Sequence, residues 1–99
     1  MKKLWSVFTD DMDECIFTGY RGQMIERHHI FGGAYRKLSE RYGFVVPLRA
    51  DLHPNGAHAT WSKELSDIDK KLRRDAQTYY EEHYGNRAAF IHAFGRNYL

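Results

Sequence analysis

Four of the six histidines, His28, His29, His53 and His58, fall between residues 28 and 58. Imidazole can take a proton near neutral pH or bind a transition-metal ion. His28 and His29 are adjacent. On an extended strand neighbouring side chains leave on opposite faces, and at a strand's end they diverge less. One ring can then hold a cation while the other faces a substrate. Metal-assisted hydrolysis of a phosphodiester needs that division. One group accepts a proton from water, and another holds the cation that stabilises the phosphate and the departing oxygen. His53 and His58 are five residues apart, which on one helix would leave them about 140° apart. The intervening Pro54-Asn55-Gly56 resolves this: His53 belongs to a turn and His58 to the first turn of the helix that follows, so both can point at one ion. Neutral imidazoles suit zinc, nickel and other first-row metals, with water completing an open site.

The elements that would position these residues follow from pattern. Residues 15–31 read as a β-hairpin. Cys15 to Thr18 is a β-prone run, Gly19 to Gly22 a turn, and Met24 to Ile30 a second strand broken by Gly32-Gly33. Residues 35–42 suit a short helix closed by Gly43. Phe44 to Leu48 is a buried strand, with Pro47 near an edge or an end. A long helix is expected from about Ala57 to His83. Its apolar face carries Trp61, Leu65, Ile68, Leu72, Ala76, Tyr79 and His83, and its charged face Lys63, Asp67, Lys70, Arg74 and Glu81. Asn86 should cap a second helix over Arg87 to Phe94 that buries Phe90, Ile91 and Phe94 and ends at Gly95. His83 reads as a structural partner and His92 as solvated. Tyr79, Tyr80 and Tyr84 either extend the core or form a partner interface.

Together these elements predict an α+β fold in a single domain, residues 1–99. A chain this short buries only about 60–65% of its unfolded surface, so a metal that ties loops together, or assembly into a homodimer, would add useful stability. The net charge of +2 permits nucleic-acid binding without demanding it. Arg21, Arg27, Arg36, Lys37, Arg41 and Arg49 nonetheless surround the histidine cluster. The single cysteine, Cys15, is expected to be buried. It excludes an internal disulfide and points to a reducing, cytoplasmic setting. No apolar run of membrane-spanning length is present, and the basic start turns acidic too soon for a signal peptide.

The stretch Ile25 to Gly33 with its His28-His29 pair, then Val45-Val46-Pro47-Leu48, then His53 and His58, resembles the HNH family of ββα-metal nucleases. The core of the resemblance covers about residues 15–64, with 65–99 as a helical tail. The tail resembles those of small phage- and prophage-encoded members, which implies a bacterial host cell. The resemblance implies a ββα-metal core and metal-dependent hydrolysis of DNA. His28, His53 and His58 would hold one divalent ion (Mg, Mn, Ni or Zn), and His29 would be the general base. It also places Arg36 and Lys37 in a segment bordering the DNA, which makes Arg36 a phosphate contact or transition-state stabiliser. Arg27, Lys37 and Arg49 are further candidates for phosphate contact. Glu26 and Glu40 would orient an imidazole or pair with an Arg. The two Cys-x-x-Cys pairs of many members are absent, which argues against a structural zinc. Gly43 and Phe44 stand in the neighbourhood of the family's middle Asn, with Asn55 or a backbone carbonyl as its substitute. That departure motivates an alternative: a catalytically weak or inactive binding module, such as a phage counter-defence protein that grips DNA or a host protein.

Overall fold

The computed structural model describes residues 3–54 and 62–99. It is α+β, with two antiparallel strands and three α-helices among the described residues. Strand β1, Ile25–His29, pairs with β2, Val45–Arg49, in a register that sets His28 opposite Val46 and His29 opposite Val45. The chain between them makes one 3-10 turn at Gly33–Tyr35 and then helix α1, Arg36–Tyr42.

The expected hairpin within residues 15–31 is therefore corrected. The segment from Cys15 to Thr18 is not a strand, and only an isolated bridge joins Glu14 to Arg21. The true partner of β1 lies beyond α1, because β2 is the apolar run able to bury against the helices. Val45, Val46 and Leu48 are fully buried. Pro47 lacks an N–H, which a two-stranded pair tolerates at its edge. Its carbonyl accepts from the Ile16 N–H at 3.0 Å.

Helix α1 ends as expected at Gly43, whose φ of +76° is left-handed. A Cβ there would also lie 2.8 Å from the Trp5 ring and from Val7, so this position excludes a side chain twice over. Ser39, wholly buried in α1, stitches the helix to the end of β1. Its Oγ donates to the Phe31 carbonyl at 2.7 Å and accepts from the Phe31 N–H at 3.1 Å.

Helix α2 spans Lys63–His83 and starts at Ser62, whose side chain accepts from the Leu65 N–H. Residues 57–61, the expected start of this helix, lie outside the described residues. Leu65, Leu72, Ala76 and Tyr80 face the core. His83, expected on that face, is instead half exposed and stacks on Tyr79 at 4.1 Å. Helix α3, Arg87–Phe94, is capped by Asn86, which accepts from the Ala89 N–H at 2.8 Å, and closes at Gly95. Phe90 and Phe94 are buried, but Ile91 is 37% exposed. In so short a helix the two phenylalanines, four apart, already occupy the stripe that meets the core.

The core is chiefly aromatic. Phe31, Phe44, Phe90 and Phe94 pack with Leu72, Ala76 and Tyr80 of α2 and with Val46 and Leu48 of β2. Gln77 is buried inside this packing. Its amide donates to Glu81 and Asn97 and its carbonyl accepts from the Tyr98 N–H, so the segment after α3 is folded back onto α2. No helix among the described residues is long and apolar enough to cross a membrane.

Candidate functional site

Strand parity sorts the residues of β1. Residues directly opposite in an antiparallel pair share a face. Glu26 and His28 therefore stand with Leu48 and Val46, on the side that packs on α2 and α3. Arg27 and His29 stand on the other. The Ser39 stitch places α1, and with it Glu40, against His29.

On the first face His28 is 7% exposed, and its Nε2 has no hydrogen-bond partner among the described residues. Burial, foremost, and the nearby His53, His29 and Arg73 push its pKa down from 6.5 to about 3. The ring is therefore neutral at physiological pH. His53 follows the single 3-10 turn Ala50–Leu52, and its ring centre lies 4.8 Å from that of His28 at 65°. His53 Nδ1 meets Glu26 Oε1 at 2.7 Å. A carboxylate only accepts, so Nδ1 carries a proton, and in the neutral ring the lone pair is on Nε2.

On the second face His29 Nε2 meets Glu40 Oε2 at 2.8 Å. The same argument leaves the lone pair of His29 on Nδ1. Arg36 Nε lies 3.7 Å from the same Glu40 oxygen. Both carboxylates considered as partners of an imidazole thus hold one, and Arg36 shares the second.

His28, His29, Arg36 and His53 line one open cleft of about 590 Å³ together with Tyr35, Asp69, Arg73 and Tyr98. Arg27 is at its rim, paired with Asp13 at 3.0 Å. Lys37 is exposed on α1 outside the cleft. Arg49 is also outside it, held by both oxygens of Asp51 at 2.6 and 3.1 Å, so a phosphate would have to displace that carboxylate. His58 and Asn55 lie outside the described residues. Among the described residues no three His, Cys, Asp or Glu side chains gather as a metal-holding group. His28 and His53 supply a pair.

Asp69, Arg73 and Tyr98 are cleft residues that sequence reasoning passed over. Asp69 and Arg73 continue the buried stripe of α2, four residues apart between Leu65 and Ala76. Charged residues within an otherwise apolar face were the signal available. Arg73 Nε lies 3.3 Å from Asp69 Oδ1 without the geometry of a hydrogen bond. Burial pushes the Asp69 carboxyl pKa up, against the opposing pull of Arg73. Tyr98 arrives with the folded-back C-terminal segment and rests on Phe31 at 5.4 Å.

No family model, curated protein or solved structure matches the chain.

Proposed function

We propose that this chain is an HNH-type endonuclease that hydrolyses DNA phosphodiester bonds with the help of one divalent ion. The observation that carries the reading is the His28–His53 pair: two apposed imidazoles, one with a buried Nε2 that has no hydrogen-bond partner among the described residues and the other oriented by Glu26. A buried ring nitrogen without a partner is costly unless something binds it, and neutral imidazoles with a carboxylate behind one of them are the donor chemistry that first-row cations prefer. With α1 as the connection between the strands, the succession β1, β2, α2 is compatible with a ββα unit, with His28 on the first strand and His53 after the second.

His28, His53 and His58 would hold the ion, which when bound supplies positive charge against the phosphate and the departing 3′ oxygen. The remaining work belongs to side chains. Glu40 fixes His29 so that Nδ1 is the basic atom, and His29 accepts a proton from the attacking water. Arg36 leans on Glu40 and offers its guanidinium to a phosphate oxygen at the mouth of the cleft.

A plasmid-nicking assay with Mg, Mn, Ni or Zn tests the reading. The wild-type protein should nick in at least one of them. His29→Ala should abolish nicking while leaving bound metal unchanged, and His53→Ala should lower metal content as well. Intact plasmid in every ion, with metal-loaded protein, would remove the enzymatic reading.

A further inference from the structure

A second groove lies beside the histidine cleft. It is lined by Asp69, Lys70, Arg73 and Arg74 of α2 and by Arg96, Asn97, Tyr98 and Leu99 of the returning segment, and it encloses about 450 Å³. Asp69, Arg73 and Tyr98 belong to both spaces, so the groove adjoins the cleft. Four of its side chains are cationic, and Asp69 alone is anionic. Arg73 already faces that carboxylate. The Asp67 carboxylate, held by Lys63, also feels Lys70 and Arg74, but among the described residues neither of these nor Arg96 has an acidic partner within 4 Å.

Two of the cations are also pre-positioned. The guanidinium carbons of Arg73 and Arg96 lie 5.4 and 5.0 Å from the centre of the Tyr98 ring, and the Tyr98 backbone is tied to Gln77 at 2.7 Å. Arginines held against an aromatic ring lose less freedom when they bind an anion. A run of cations beside a candidate phosphodiester site matches an extended polyanion better than a small ligand.

We propose that this groove holds the sugar-phosphate backbone of DNA on one side of the cleft, with Lys70, Arg74 and Arg96 as phosphate contacts and Arg73 and Tyr98 as the join to the catalytic end. The inference rests on the nuclease reading for the identity of its ligand, but it concerns affinity rather than cutting. Contacts of this kind set position and salt dependence, not sequence preference.

The test is fluorescence anisotropy of the full chain with a short labelled DNA duplex, in EDTA so that cutting plays no part, over a series of salt concentrations. The triple variant Lys70→Gln/Arg74→Gln/Arg96→Gln keeps most of each side chain's bulk. It should bind more weakly at every salt concentration, with the slope of log K against log salt reduced by about 2–3. Lys63→Gln/Lys71→Gln/Arg87→Gln removes the same charge elsewhere, and its slope should stay near that of the wild type. Circular dichroism of both variants establishes that each is folded. Equal losses in the two triple variants would mean that net charge alone is felt, and would overturn the proposal. So would an unchanged slope in the groove variant, or a wild-type chain that does not bind DNA at low salt. A chain that binds through the groove but never nicks would keep this inference while removing the enzymatic one.

Discussion

The most quantitative expectation concerns His28 and acid. Its folded pKa is about 3, against 6.5 for the ordinary side chain. Between those values the unfolded chain takes up a proton that the folded protein refuses. Stability therefore rises with pH across that window, and its His28 contribution is complete only above about 6.5. For one proton with these two constants, acidification from pH 7 to pH 5 should cost about 2 kcal/mol. That is a large share of the stability of a small domain. Urea denaturation of metal-free protein in a chelator, at pH 7, 6 and 5, reads this as a fall of about 1 M in the midpoint for a typical m-value. Acid acts on more than this one ring, so the decisive comparison is His28→Gln. This variant removes the proton site while keeping a polar group, and its midpoint should fall much less over the same range. Parallel losses in the two proteins would refute the claim that burial beside His53, His29 and Arg73 keeps this ring neutral.

Two further outcomes are expected. Glu40→Gln should lower the nicking rate about 10–100-fold with little change in KM, and Glu40→Ala should lower it further, because glutamine can still accept from His29 Nε2. Wild-type rates in both variants would show that Glu40 does not position the base. Phe90→Ala, in the centre of the aromatic core, should destabilise the fold by about 3–5 kcal/mol, measured by denaturant titration. A loss under 1 kcal/mol would mean that the core collapses around the gap.

What could be read from the sequence was local. Helix α1 and its stop at Gly43, the start of α3 at Asn86, and the Leu65, Leu72 and Ala76 stripe of α2 all depend on residues within a few positions of one another. Caps and helical periodicity are local physics. The pairing of β1 was not legible. Gly19 to Gly22 looks like a hairpin turn, yet pairing β1 with Val45–Arg49 leaves β2 buried against α2 and α3, and that gain is invisible in a window. The contact between His28 and His53 was readable because histidine is rare enough for four in one region to stand out. Arg73 and Tyr98 were not, because their place depends on how α2 is rotated and on the return of the chain after α3. The carboxylate partners Glu26 and Glu40 stood between the two cases: their residue type suggested the role, and the register and the Ser39 stitch decided which histidine each one serves.

That register has a further consequence. Glu26 and His28 share one side of a ribbon and His29 the other, so even and odd positions of β1 carry different tasks. Inserting or deleting a single residue ahead of His28 while the pairing is kept would turn the ribbon's contents over. An insertion between Glu26 and His28 would carry the His28 ring to the position that faces Glu40, and loss of Arg27 would set His29 on the side of Glu26. Composition, charge and fold class would all survive such an edit, and the chemistry of the cleft would be inverted.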